Sequence, residues 1–361
     1  MQLRRLWLRD FRSYAEAEVP FGPGLTAIVG ANGEGKTNLL EAIAYLATLG
    51  SFRGAPTEAL VRTGATEAVV RAEGEREGRQ VLVEAEVAAG GRGRVQVNKQ
   101  RLRRARDLLG YVRVTVFSPD DLELVKGGPE QRRRYLDATL VALHPRHDAV
   151  QRDLERILRQ RNALLRQAGG RLTAEVETTL DVWDDKLATT GAALAHARQA
   201  LVDDLGPLLA AAYVQVARRD TPVTATYRGA WQEAGLATAL ADARRDDLRR
   251  GVTTVGPHRD ELGLRIDGLP ARTHASQGEQ RSLAWALRLA SHLLVRDAVG
   301  SAPVLLLDDV FSELDPGRSQ GLLDGLPAGQ TVLTTAGGLP ADAAPDVVVR
   351  VGAGQVAVVS G

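Results

Sequence analysis

The segment from Gly30 to Thr37 constrains the fold more than any other part of the sequence. It reads Gly-Ala-Asn-Gly-Glu-Gly-Lys-Thr, after an apolar run at 25–29 typical of a buried strand and before helical apolar spacing over 38–49. Glycine N–H groups can wrap phosphates, lysine supplies a positive charge, and a threonine hydroxyl suits Mg²⁺. A chance glycine-rich loop is the alternative, and the strand and helix on either side argue against it. The expected ATP contacts are Gly30, Asn32, Gly33, Gly35, Lys36, Thr37 and Asn38, with Lys36 also catalytic.

A second apolar run, at 303–310, contains two adjacent carboxylates, Asp308 and Asp309. A strand that ends in two acids can hold Mg²⁺ and orient an attacking water. We expect Asp308 to hold the metal together with Thr37, and Asp309 to lie where a general base belongs. Because aspartate is short, it would reach the water poorly, and hydrolysis would be slow. Two acids here could instead cap the next helix, but the phosphate loop favours the metal interpretation.

Two further motifs surround that strand in the sequence. Ser276-Gln277-Gly278-Glu279-Gln280 opens an apolar helix at 283–295, and Ser312-Glu313-Leu314-Asp315 follows the acidic pair. Alone, the first motif is equally well an ordinary capped helix. In this order, with residues 38–275 between the phosphate loop and the serine motif, the four motifs resemble the ABC/SMC ATPase superfamily.

Within that superfamily the chain resembles the RecF family over nearly its whole length. The similar segments are 11–14 (Phe-Arg-Ser-Tyr), 117–122, 125–127, 132–137 and 256–260 (Gly-Pro-His-Arg-Asp). The resemblance implies a homodimer formed with ATP, in which Ser276, Gln277, Gly278 and Glu279 of one copy complete the phosphate site of the other. It also implies a weak DNA-dependent ATPase of recombinational repair, which binds DNA at gaps or stalled forks and promotes recombinase loading with RecO- and RecR-like partners.

The organisation expected from the sequence is a discontinuous head with an inserted helical lobe. The 361 residues exceed one ordinary domain of roughly 100–200 residues. Hydrophobic periodicity changes to helical near residue 126, with stretches at 150–165 and 176–208 separated by Gly169 and Gly170. We predict an α/β ABC/SMC-type ATPase head, with a phosphate-loop sheet and an antiparallel β part, at 1–125 and 251–361. Residues 126–250 would form an α-helical arm whose two long helices pair as an antiparallel hairpin.

Charge is nearly balanced over the chain but clustered locally. The formal net charge is +1, and cysteine is absent, which excludes disulfides and thiolate sites. A segment without acids contains the expected DNA-binding residues Arg92, Arg94, Lys99, Arg101, Arg103, Arg104 and Arg106. We found no signal peptide and no apolar run near the roughly 20 residues of a membrane span, so we expect a cytoplasmic protein without a membrane partner.

Several interpretations stay open at this level. Residues 12–14 could flank adenine or pack on the core, His258 is more typical of a structural role, and residues 132–134 fit a solvated helix face better than a DNA contact. A histidine after the strand at 331–335 and a glutamine near 118–121, both common in ABC proteins, are missing, and Thr334 or Thr335 could replace the histidine. The alternative functions are an ATP-binding subunit of an ABC transporter and an ATPase associated with a nuclease.

Overall fold

The computed structural model describes residues 1–90, 93–313, 325–339 and 343–360. The strands are β1 (Gln2–Phe11), β2 (Tyr14–Pro20), β3 (Leu25–Val29), β4 (Glu67–Arg76), β5 (Arg79–Ala88), β6 (Val95–Val97), β7 (Gln100–Arg101), β8 (Val114–Phe117), β9 (Val223–Arg228), β10 (Glu261–Ile266), β11 (Leu269–Pro270), β12 (Val304–Asp308), β13 (Thr331–Thr335), β14 (Val347–Gly352) and β15 (Gln355–Ser360). The helices are α1 (Lys36–Thr48), α2 (Glu123–Lys126), α3 (Pro129–Leu143), α4 (His147–Ala168), α5 (Ala174–Ala217), α6 (Leu236–Arg250), α7 (Ala271–His274) and α8 (Gln277–Val299).

The chain divides into two compact units. The first, called the head unit, comprises Met1–Asp121, Val214–Arg219 and Trp285–Gly361, and the second, called the helical unit, comprises Leu122–Tyr213 and Asp220–Ala284. Residues 251–284 therefore differ from the predicted division, which placed them in the head. They belong to the helical unit because β10 pairs with β9, which precedes α6 in the sequence. Hydrophobic periodicity cannot show such a pairing between distant segments.

A six-stranded sheet in the head unit has the order β15-β14-β3-β13-β12-β8. Strands β14, β3, β13, β12 and β8 run parallel, and β15 pairs antiparallel at the edge. Every residue of β12 and β13 is buried, as expected for a sheet covered on both faces. Because these strands are parallel, the ends of β3, β12 and β13 meet at one edge of the sheet.

A second six-stranded sheet of the head unit is antiparallel, in the order β2-β1-β4-β5-β6-β7. Burial alternates along β4 and β5, so one face is in the core and the other faces solvent. Helix α1 contacts β1, β4 and β5 of this sheet and β8, β12 and β13 of the other. The segment 36–48 is consequently buried along most of its length.

Gln330, directly before β13, links the two sheets through buried hydrogen bonds. Its side-chain amide donates to the carbonyls of Leu3 and Gly22, at 2.7 Å each, and its carbonyl oxygen accepts from the Leu3 N–H, also at 2.7 Å. Since buried polar groups cost free energy unless they are paired, these three bonds fix the start of β13 relative to β1.

The helical unit is organised around the pairing of α4 with α5. Leu165 and Leu180 share a buried cluster with Leu248 of α6. Arg161, one turn earlier on α4, donates to Asp184, one turn later on α5, at 2.6 Å. Contacts that move back along α4 while they move forward along α5 show that the two helices are antiparallel, as the sequence predicted. Gly169, in the left-handed conformation (φ 55°), ends α4.

Helix α5 is more apolar than the sequence analysis indicated. Among the described residues it is the one helix whose length and composition would suffice to cross a bilayer, because its second half is rich in alanine, leucine and valine. It nevertheless contains Arg198, nearly buried, which donates to both carboxylate oxygens of Asp137 at 2.8 and 2.7 Å. Such a buried ion pair within the helical unit is typical of a helix packed in protein.

Candidate nucleotide site

The loop at 30–37 lies between the end of β3 and the start of α1, and two of its glycines are sterically required. A Cβ on Gly30 would lie 2.3 Å from the carbonyl oxygen of Val351, which is backbone and cannot rotate away. Gly35 has a φ of 105°, and a Cβ there would lie 2.8 Å from Ser13 Oγ. The loop therefore keeps its shape only with glycine at these positions.

Lys36 begins α1 and is held over the loop. Its ammonium donates to the carbonyls of Gly30 and Ala31, both at 2.8 Å, and the residue is only 6% exposed. The first N–H groups of a helix lack partners within the helix, and the helix dipole places partial positive charge at the same end. A fixed cation beside free N–H groups is a site for an anion such as a phosphate.

Thr37 and Asp308 are brought together at the shared edge of the parallel sheet. The Thr37 hydroxyl donates to Asp308 Oδ1 at 2.7 Å, and Thr334 Oγ1 lies 2.9 Å from the same oxygen. Burial raises the pKa of Asp308, and the two hydroxyl hydrogen bonds oppose that shift. Asp309 follows with a φ of 47°, a left-handed conformation that is uncommon outside glycine, and its N–H donates to Thr334 Oγ1 at 3.0 Å.

The donor set of Thr37 and Asp308 fits Mg²⁺. A hydroxyl and a carboxylate oxygen are hard ligands, and magnesium in phosphate-transfer sites is held by one or two such groups, with phosphates and water completing the octahedron. In keeping with that pattern, the described residues contain no group of three or more histidine or acidic side chains arranged to hold a metal. An ion here would therefore depend on the nucleotide for much of its coordination.

The turn between β1 and β2 packs against this loop, through contacts that the sequence left open. Asn38 donates to Ser13 Oγ at 3.0 Å, and the Tyr14 hydroxyl donates to the Gly35 carbonyl at 3.1 Å. Burial raises the pKa of Tyr14, so its hydroxyl stays protonated as a donor. Arg12 donates to both carboxylate oxygens of Glu41 at 2.7 Å. Arg12 thus anchors the turn to α1, while Ser13 and Tyr14 brace the loop.

Ser276 belongs to the helical unit and caps α8. Its N–H and hydroxyl donate to Glu279 Oε2 at 2.8 and 2.7 Å, while the Glu279 N–H donates to Ser276 Oγ at 3.3 Å. This is the reciprocal capping arrangement that the sequence offered as the ordinary interpretation. Ser276 and Gln277 are nevertheless exposed at the helix N-terminus, and Gly278 lies half-buried beside them. The positive end of an exposed helix can also receive an anion from another molecule.

The described members of the basic segment are exposed around the β6–β7 hairpin, at one edge of the antiparallel sheet. They are Arg94, Lys99, Arg101, Arg103, Arg104 and Arg106, and Arg92 lies outside the described residues. Arg94 has a carboxylate near it, at 3.9 Å from Glu86. Asn98 and Lys99 both have positive φ, as in a tight hairpin turn. The basic side chains therefore lie near this turn, at the same edge of the sheet.

The other residues noted in the sequence have structural contacts. Arg132 is buried and donates to both carboxylate oxygens of Glu261, and Arg133 donates to the Asp260 carbonyl, so the solvated-face interpretation is wrong for both. His258 bonds the Thr253 carbonyl, and burial lowers its pKa to about 4.

The region near 118–121 lacks the expected glutamine and is held by hydrogen bonds of Asp121. Asp121 accepts two bonds from Arg288 and one from the Ser118 N–H. Residues 310–313 form a 3₁₀ turn, while Leu314 and Asp315 of the predicted motif lie outside the described residues.

A phosphate loop at the end of a parallel strand, an acid-terminated strand beside it and a capped signature helix define an ABC/SMC-type ATPase head, which confirms the predicted fold class. Residues 2–331 match the family model described as RecF/RecN/SMC N terminal domain. The Smc head domain from Pyrococcus furiosus, 17% identical, has the same fold at a TM-score of 0.57, covering 99% of this chain and 96% of that one.

Two more similar relatives identify the family within this class of ATPases. The DNA replication and repair protein RecF of Streptomyces avermitilis is 48% identical over 352 residues, covering 93% of each chain. The recombination mediator protein RecF with ATPrS, from the RecFOR pathway, is 28% identical with a TM-score of 0.91, covering 99% of this chain and 98% of that one. The chain belongs to the RecF family, and not to the transporter subunits considered as the alternative.

Proposed function

We propose that this chain binds ATP with Mg²⁺ at the loop 30–37 and hydrolyses it slowly. The observation that carries the proposal is the 2.7 Å bond between Thr37 and Asp308, which joins the start of α1 to the end of β12. A RecF structure with ATP, similar to this chain at a TM-score of 0.91, supports the choice of nucleotide.

Each protein group has a separate task in this proposal. Lys36 would exchange its two carbonyl partners for the β and γ phosphates, and the N–H groups of the loop would surround the same oxygens. Thr37 and Asp308 would hold magnesium, whose chemistry when bound is neutralisation of the phosphate charge. Asp309 would orient the attacking water, and its short side chain would make turnover slow.

We also propose that ATP binding drives dimerisation of the chain. Ser276 is exposed at the N-terminus of α8, where its hydroxyl, Gln277, Gly278 and Glu279 could meet the γ-phosphate held by another copy. A triphosphate shared in this way bridges two positive helix ends, so binding favours the dimer and hydrolysis releases it. ATP then serves as a timer for assembly.

We further propose that the dimer binds DNA. The exposed arginines and lysine of the β6–β7 hairpin form a surface suited to a phosphate backbone. On the strength of the RecF relatives, we infer that the protein is cytoplasmic and acts in DNA replication and recombinational repair. Its weak, DNA-dependent ATPase activity would control dimers at gaps or stalled forks, and RecO- and RecR-like proteins would help it load recombinase there.

The test is nucleotide binding and light scattering, with and without ATP and Mg²⁺. Lys36→Met removes the loop cation, so we expect loss of nucleotide binding and of association together. Ser276→Arg leaves the loop intact and places a bulky charge at the expected interface, so this variant should bind ATP with native affinity and remain monomeric. Normal ATP-dependent association of Ser276→Arg would refute the dimerisation proposal, and ATP binding by Lys36→Met would refute the assignment of the loop.

A further inference from the structure

A buried threonine on β13 contacts both acids of the candidate site. Parallel pairing of β12 with β13 places Thr334 directly opposite Asp308, at the ends of the two strands. Thr334 is fully buried, so its hydroxyl needs hydrogen-bond partners inside the protein. The hydrogen-bond partners of this hydroxyl therefore indicate the role of Thr334.

The hydroxyl of Thr334 has one partner on each acid. Its oxygen accepts from the Asp309 N–H at 3.0 Å, and it lies 2.9 Å from Asp308 Oδ1, to which it donates. The carbonyl of Leu307 is a poorer acceptor at 3.5 Å. A single hydroxyl consequently links the carboxylate of Asp308 to the backbone of Asp309.

The two hydrogen bonds of Thr334 restrict the backbone of Asp309 and the carboxylate of Asp308, respectively. Asp309 has a φ of 47°, in the left-handed region that is uncommon outside glycine, and the bond from its N–H to Thr334 helps to hold this conformation. Asp308 Oδ1 also accepts from Thr37, but Thr37 is itself an expected metal ligand, so its bond to Asp308 is not independent of the ion. Thr334 is the partner that orients Asp308 whatever Thr37 contacts.

We propose that Thr334 is a positioning residue, which couples the orientation of the magnesium-binding Asp308 to the backbone conformation of Asp309. This inference rests on the proposed function as an ATPase and adds a residue to its machinery. The neighbouring Thr335 supplies a matched control, because its hydroxyl lies 3.4 Å from the Gly337 carbonyl and contacts neither acid. Both threonines are buried on the same strand, so identical substitutions separate the hydroxyl contact from general effects on β13.

The experiment compares Thr334→Val, Thr334→Ser and Thr335→Val. Affinity for a fluorescent ATP analogue is measured in EDTA and in a Mg²⁺ series, and hydrolysis is titrated with Mg²⁺ at saturating ATP. For Thr334→Val we expect native affinity in EDTA, a half-saturating Mg²⁺ concentration raised roughly 10-fold, and a reduced kcat, as found when a hydrogen bond to a ligating carboxylate is removed. Thr334→Ser keeps the hydroxyl and should behave like the native protein. Thr335→Val should keep the native Mg²⁺ dependence, because the hydroxyl that it removes contacts neither acid.

Native Mg²⁺ dependence and kcat in Thr334→Val would overturn the inference, and so would an equal shift of the half-saturating Mg²⁺ concentration in Thr335→Val. Thr334→Ala removes the hydroxyl without adding a second methyl group, and it must show the same Mg²⁺ defect, particularly if the valine variant folds poorly. Failure of the native chain to bind the analogue in both EDTA and Mg²⁺ would instead refute the proposed ATP site, so the two failures are distinguishable.

Discussion

The ion pair between Arg12 and Glu41 allows a quantitative test of how the β1–β2 turn is fixed to α1. Glu41 has a side chain with 0% exposure, and that of Arg12 is 18% exposed. Two direct bonds of 2.7 Å join them, and Arg12 also donates to the Ala59 carbonyl at 2.8 Å. Arg12→Ala would leave a buried carboxylate with Ser51 as its remaining hydrogen-bond partner.

The size of the effect follows from this burial. Removing one partner of a buried pair costs about 3–5 kcal/mol, and we take the lower end because Ser51 still donates to Glu41. For a folding unit of roughly 200 residues, about 3 kcal/mol lowers Tm by about 6–12 °C. An exposed pair costs only about 0–1 kcal/mol, and Arg134→Ala, which breaks the exposed pair with Glu130, is the control.

Differential scanning calorimetry of the two single variants measures this difference. The double variant Arg12→Met, Glu41→Met removes both charges, so it should recover much of the loss caused by Arg12→Ala. If Arg12→Ala lowers Tm no more than Arg134→Ala does, the Arg12–Glu41 pair does not anchor the turn. The bracing of the phosphate loop by Ser13 and Tyr14 would then need another explanation.

Two further predictions concern pH and salt. Burial lowers the pKa of His258 and of His292 to about 4, so the folded state favours their neutral forms, and stability present above pH 6.5 is lost as pH falls towards 4. His292→Gln should therefore lose less in Tm between pH 7 and pH 5 than the native protein, and equal losses would contradict this cause. Replacing Arg101, Arg103 and Arg104 with alanine should weaken DNA retention and flatten the slope of log K against log salt by up to roughly 3. An unchanged slope in filter-binding or anisotropy titrations would exclude this surface as the DNA contact.

The local elements of the head were predictable because their signals lie within short stretches of sequence. The apolar run at 303–310 contains β12, and the helical spacing at 38–49 contains most of α1. Gly169 and Gly170 marked the end of α4, since glycine adopts the left-handed conformation that stops a helix. The order of four motifs then sufficed for the fold class.

Contacts between distant segments were not predictable from the same signals. The role of Thr334 depends on the register of β12 with β13, which the sequence does not encode locally. The partnership of Arg12 with Glu41 joins a turn to a helix, and Arg132 is buried by Glu261 of a strand far along the chain. The sequence around Arg132 therefore indicated a solvated face, because its acidic partner Glu261 comes near it only in the folded chain.

The central claim, that each ATP site takes one half from each of two copies, is tested most directly by mixing two inactive variants. Lys36→Met lacks a working phosphate loop but keeps Ser276, and Ser276→Arg has the opposite defect. In a mixed dimer, the loop of the Ser276→Arg copy meets the intact Ser276 of the Lys36→Met copy, so one site is complete. We predict that the mixture recovers ATP-dependent association and hydrolysis, while each variant alone does not. If the mixture is as inactive as its components, the two halves of the site act within a single chain and the claim is wrong.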